Sequence, residues 1–224
     1  MESHAIRHPD GDSCAETIHH YEFWREVATL TGKDSYDEAT WVNGRLYFRS
    51  DFSRKMQDWP AWNEAGEWAA WIIEPTPEGN YNVLRSLKHE RAKERSEEVE
   101  ATFSKMADAG KYIILQVGDE RRLALRLQTL FIKWEAAGLD PRIEVTSAGQ
   151  QAVDDLVKRS PRLRRDFAQL HLKTYMLRED PSSYAIALVS RQPDMQVLAL
   201  SYAELDEMLL DGMPEDVISK VSLG

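Results

Sequence analysis

Apolar positions in the first third of the chain change period twice. Ile18, Tyr21, Trp24 and Leu30 recur at helical spacing and stop near Gly32, which predicts a helix from Thr17 with one apolar stripe docked on a sheet. The period then falls to two. In TWVNGRLYFRS, Asn43-Gly44 supplies the two positive φ angles of a type I′ turn between β-formers, so two short strands follow. GEWAAWIIEP is apolar on both alternating faces, with Trp68, Ala70 and Ile72 on one and Ala69, Trp71 and Ile73 on the other. Both faces of that strand need cover. PTPEGN supplies turn residues and YNVLRS resumes the strand pattern, giving a second hairpin over residues 67–87.

At Lys88 a dense charge run, KHERAKERSEEVE, leads into Val99, Phe103, Met106, Gly110, Ile113 and Val117. These spacings of three and four favour one helix with a solvated charged face, while the β-branched end leaves a strand over 111–117 open. Gly118 reads as the residue past a helix end and Asp119 as the cap of the next, striped by Leu123, Leu127, Leu130 and Trp134. A short strand at Arg142–Val145, a helix capped by Thr146 or Ser147 and another opened by Ser160-Pro161 come next. Residues 168–177, AQLHLKTYML, fit either period. YAIALVS and MQVLALS read as a hairpin, and Ser201 with Glu204 forms a capping box for a helix closed by Gly212 and Pro214. The expected class is α+β: antiparallel β-hairpins forming a sheet packed by several helices. Residues 1–16, polar and holding Pro9 and Gly11, read as a flexible lead, and 17–224 as a single domain with a seam near 138–147.

Charge narrows the function classes. The 28 basic and 38 acidic residues leave a formal −10, which repels phosphate backbones and favours basic partners, so nucleic acid is not the expected ligand. With Cys14 as the single cysteine no internal disulfide forms, and no apolar run approaches membrane-spanning length, so a cytoplasmic protein without membrane contact is expected.

No phosphate-cradling, nucleophile-elbow, zincin, paired-cysteine or calcium-loop motif occurs, and no catalytic residue or cofactor is expected. His4, His8, Cys14, His19 and His20 are metal-capable side chains within one short stretch, but a polar lead gives ligands no fixed geometry, and no metal is assigned. His89 and His171 stand alone. KRSPRLRR at 158–165 is basic but balanced by Asp154, Asp155 and Asp166, the pattern of a solvated helix start.

Three segments, GEWAAWIIEPTPEGNYNVLRSLKHE, MADAGKYIILQVGDERR and LSYAELDEMLLDGMP, together resemble the actinobacterial immunity proteins related to the antitoxin of tuberculosis necrotizing toxin. The likeness lies in a strand opened by Gly-Glu, a turn, a strand running into a basic segment, and an A-x-x-Y helix ending in GDxxR. The resemblance implies an intracellular protein that is not an enzyme and that blocks a cognate secreted toxin domain, typically an NAD-cleaving enzyme. Residues 58–75 hold four of the seven tryptophans. Two of them, Trp59 and Trp62, sit in a Pro- and Gly-punctuated loop with Asp58 and Glu64, and these four are the candidate partner-binding residues. The alternative is a small-molecule binding module or enzyme whose pocket is walled by Trp68, Trp71, Tyr81 and Arg85.

Overall fold

In the computed structural model, residues 11–32, 36–50, 52–61, 68–88, 95–160 and 162–221 are described. The strands are β1 (Thr40–Val42), β2 (Arg45–Ser50), β3 (Ala69–Pro75), β4 (Tyr81–Leu87), β5 (Ser96–Phe103), β6 (Ile143–Ser147), β7 (Leu172–Leu177) and β8 (Asp180–Leu188). They form one eight-stranded sheet in the order β1-β2-β3-β4-β5-β8-β7-β6, every neighbour antiparallel. The helices are α1 (Gly11–Leu30), α2 (Phe52–Asp58), α3 (Met106–Ala124), α4 (Leu130–Ala137), α5 (Gln150–Arg159), α6 (Arg165–His171), α7 (Tyr202–Leu210) and α8 (Glu215–Ile218). The class is α+β.

Strand alternation divides the sheet into two faces. Leu46, Phe48, Trp71, Ile73, Val83, Ala101 and Phe103 share one core with Tyr21 and Trp24 of α1 and Tyr112, Ile113 and Val117 of α3. Ala70, Ile72 and Leu84 cluster on the opposite face under Tyr47, Trp68 and Val99. The doubly apolar pattern of β3 has this cause. At the first hairpin Asn43 and Gly44 take φ of 51° and 77°, as the dipeptide requires.

Several elements differ from the periodicity reading. The first helix starts at Gly11, because Cys14 packs against the core and Thr17 is buried with its hydroxyl 2.8 Å from that of Tyr202; residues 11–16 therefore belong to α1 rather than to the lead. Residues 96–103 are a strand, not the start of a helix. The four-residue step from Val99 to Phe103 suits a helix and an alternating strand equally, and only pairing with β4 and β8 resolves it. Ala101 pairs with Val83 and Val99 with Leu84, so Glu100 is a bulge residue that turns Val99 and Phe103 to opposite faces. Residues 168–177 divide, helix to His171 and strand from Leu172. β8 pairs with β7, and the first five residues of MQVLALS lie in a buried 3-10 segment, Pro193–Ala199, while Ser201 caps α7, so no hairpin strand forms there. Thr146 and Ser147 end β6, and Gly149 caps α5. Residues 138–147 run from the end of α4 into β6 at the sheet edge.

The GDxxR segment holds helices together. α3 continues through Gly118, where a Cβ would overlap the Leu209 side chain of α7; close approach, not chain reversal, demands the glycine. Asp119 accepts from the Leu130 and Phe131 N–H groups at 2.7 and 3.0 Å, satisfying two orphan donors of α4. Arg122, buried, donates to the Leu209 and Asp211 carbonyls, both at 2.7 Å, and its Nε to Gln128 O at 2.8 Å. Ser201 and Glu204 form the capping box of α7. On the same helix Asp206 accepts from Trp24 Nε1 at 2.6 Å and lies 2.5 Å from His20 Nδ1, tying α1 to α7. Burial drives the Asp206 pKa up, against the lowering pull of those two partners.

Candidate functional site

RLYFRS sends Leu46 and Phe48 into the core and leaves Arg45, Tyr47 and Arg49 on the face opposite α1 and α3. Over their end of the sheet the chain runs through α2. This short helix buries none of its residues, and its Phe52 ring meets Trp68 edge-on at 5.3 Å. The Arg49 guanidinium carbon lies 4.4 Å from the Tyr47 ring centroid, 4.9 Å from Phe52 and 5.4 Å from Trp68. Arg95 lies 3.3 Å over the same indole and donates to Ser86 Oγ at 2.8 Å, to Ser86 O at 2.7 Å and to Trp68 O. Two guanidiniums thus share one indole, each attracted by the ring quadrupole and each repelling the other.

Burial is the main term in the titration of both arginines. It pushes Arg95 down to about 10, with Arg49 and Arg85 adding to the fall against Glu97 and Tyr47. It lowers Arg49 as well, in spite of Tyr47 and Asp37. Both therefore remain cationic at neutral pH, at a desolvation cost. Arg49 donates through Nη1 to Thr40 Oγ1 at 2.6 Å, while its buried Nε has no acceptor.

Toward the middle of the sheet the charges are matched. Glu74 receives Arg45, Arg159 of α5 at 2.5 Å and Asn82 Nδ2 at 3.2 Å. Burial acts to raise its pKa, and the Arg159 and Asn82 hydrogen bonds with the two arginine charges outweigh it, holding the carboxyl below its ordinary value. Past this node a cleft of about 700 Å³ opens between α5 and the sheet, floored by Asn82, Thr102, Val99 and Ile186.

Of the candidate partner-binding residues, Asp58 ends α2 at the surface and Trp59 is 52% exposed just beyond it, its N–H bonded to Lys55 O at 2.8 Å. Trp62 and Glu64 lie outside the described residues. The alternative pocket does not assemble: Trp71 and Tyr81 are in the main core with Arg85 4.7 Å from the Trp71 ring, while Trp68 is on the other face. Its sequence residues do not line the cleft either. Among the described residues no three His, Cys, Asp or Glu side chains converge as a metal site; His4 and His8 are outside them, His20 faces Asp206, and His171 stacks near Phe167. His89 also lies outside. In KRSPRLRR, Arg165 pairs with Asp154 at 2.7 Å and Arg164 with Asp166.

Sequence reading passed over Arg49, Arg95 and Phe52. The alternation of RLYFRS does place Arg45, Tyr47 and Arg49 together on one face, and that signal was present. Arg95 was hidden in a charge run taken for a wet helix face.

Among the described residues no helix is long and apolar enough to cross a membrane. Neither a family model nor a curated protein matches the chain. Among solved structures it is similar to Rv3902c from M. tuberculosis at 17% identity, over 84% of this chain and 87% of that one, with a TM-score of 0.48, a distant structural relationship that assigns no function.

Proposed function

We propose that this chain is an immunity protein of the cytoplasm, without catalytic activity of its own, that binds and blocks a cognate toxin domain, in keeping with the resemblance an NAD-cleaving one. The observation that carries the reading is Trp59, an indole half in solvent at the end of α2, in an excursion that also brings Phe52 to the arginines of the open sheet face. An exposed tryptophan, at the end of a short helix whose Phe52 covers a desolvated guanidinium, is residue chemistry enriched at protein interfaces. Inhibition by occlusion requires complementarity of shape and charge and no reactive group, which suits a chain without a cofactor motif.

Co-expression with a toxin domain encoded beside this chain is expected to restore growth. Trp59→Ala should weaken the purified complex by about tenfold or more, with little effect on the melting temperature of the free chain. A toxin that kills equally with and without the chain would end this reading.

A further inference from the structure

Three arginines on the open face of the sheet differ in one respect. Arg45 is neutralised by Glu74 and Glu97, and Arg159 by Glu74. Among the described residues Arg49 makes no ion pair. Its charge is held by three rings, its Nη1 by a threonine hydroxyl, and its Nε is buried without an acceptor. A buried donor with nothing to receive it costs about 1–3 kcal/mol. A half-buried cation with no ion-paired carboxylate, Asp37 acting on it only without contact, is disfavoured again, and in this case a second guanidinium, that of Arg95, sits across the same Trp68 ring. Folding gains little from such an arrangement: hydrocarbon in place of the guanidinium would pack against the same rings without these penalties.

We propose that Arg49 is a socket for a carboxylate of the bound toxin, whose oxygens would accept from Nη2, since Nη1 is bonded to Thr40 and Nε is buried. This rests on the immunity reading and gives its interface a charge sense. The chain as a whole is acidic, with a formal −10, and sequence alone suggests that Asp58 and Glu64 meet a basic partner. The arginine pair under Phe52 and Trp68 reverses that sign locally. A carboxylate there gives the guanidinium an ion-pair partner and offsets the repulsion across Trp68, among aromatic rings where a charge-assisted contact is strong. α2 is seven residues long, about 10 Å at the helical rise, so Phe52 at one end and Trp59 past the other can both lie under one docked surface.

The test uses the full chain and the toxin domain encoded beside it. Arg49→Met should weaken the complex by about tenfold or more while the free chain melts at an unchanged or higher temperature. Arg49→Lys, which keeps the charge and loses the planar fork, should fall between Met and Arg. Carboxylate-to-amide changes across the toxin surface, each combined with Arg49→Met, should reveal one acid whose loss has no further effect once Arg49 is gone. If the toxin binds the unchanged chain and Arg49→Met binds as tightly, the socket is refuted and the immunity reading stands. If the toxin does not bind the unchanged chain, both fall. A lowered melting temperature for Arg49→Met, coupled in the free chain to Glu64→Gln or Glu67→Gln, would mean that an internal carboxylate fills the site, and would equally overturn the proposal.

Discussion

Asp194 is a carboxyl group sealed in the interior at 2% exposure, with the Tyr112 hydroxyl 3.5 Å away and Arg191, already paired with Glu100, nearby. Burial raises its pKa to about 7, with Asp119 and Glu100 adding to the rise against Arg191 and Gln116. From about pH 4 to 7 the folded chain keeps a proton that the unfolded chain has released, so this group's contribution to stability falls as pH rises through that window and is lowest above it. Asp194→Asn removes the ionisation at nearly constant volume. Its unfolding free energy should match that of the parent near pH 3, below both pKa values, and exceed it at pH 8 by a margin on the order of a few kcal/mol. A difference that stays constant with pH would place the titration elsewhere. Nothing near Asp194 in sequence foretells this, because the elements packed on its segment include α3, α4, β7 and β8. Gly110 and Gly118 teach the same lesson. Sequence makes the first a member of an apolar stripe and the second a helix stop, whereas a Cβ at Gly110 would overlap Tyr202 and Thr17 and one at Gly118 would overlap Leu209, partners some ninety residues or more away. At the candidate site the half-exposed Trp59 was legible from its loop, and the charge state of its neighbours was not.

Elements defined by local chemistry were legible: the Asn-Gly hairpin, the doubly apolar β3, the capping box of α7. Those defined by pairing were not, as β5 and the 3-10 segment Pro193–Ala199 show; a central strand with a bulge has no fixed period, and a wholly buried turn has no polar face to mark it. Helix α5 was placed by a cap at Thr146 or Ser147, which the structure moves to Gly149, and its attachment is slight. Val153 is its one buried residue, Ala152, Leu156 and Val157 are partly buried, and Arg159 reaches across to Glu74. Arg159 is 41% exposed, so the ion pair adds little to global stability. Its effect should be local: Arg159→Met is expected to speed amide exchange throughout α5 several-fold and to leave the global free energy within about 1 kcal/mol. Exchange in α5 that follows only global unfolding in both forms would show that the apolar contacts alone hold the helix down.

At the scale of the molecule, the two halves of the chain meet along β5 and β8 through three residue pairs, Ala101 with Ala187, Thr102 with Ile186 and Phe103 with Ala185. So short a junction would part readily by itself. α3 bridges it: Tyr112 meets the Trp71 ring of β3 at 6.1 Å on one side and Asp194 on the other, while Arg122 and Gly118 hold α7 and Lys111 Nζ bonds to Leu200 O at 2.7 Å. Exposing either half therefore strips α3 of part of its cover, which makes separate unfolding costly. All seven tryptophans precede the 138–147 seam: the buried Trp24 and Trp71 report on the first half, and the buried Trp134 of α4, a helix packed on the Pro193–Ala199 segment, senses the second through that contact. Urea unfolding followed by tryptophan fluorescence and by far-ultraviolet circular dichroism should give superimposable single transitions. Two resolved transitions would mean that the seam divides independent units and that α3 belongs to the first half alone. In that case a partner docked at α2 would stabilise the first half only, whereas in a cooperative molecule it raises the midpoint of the one transition that both probes follow.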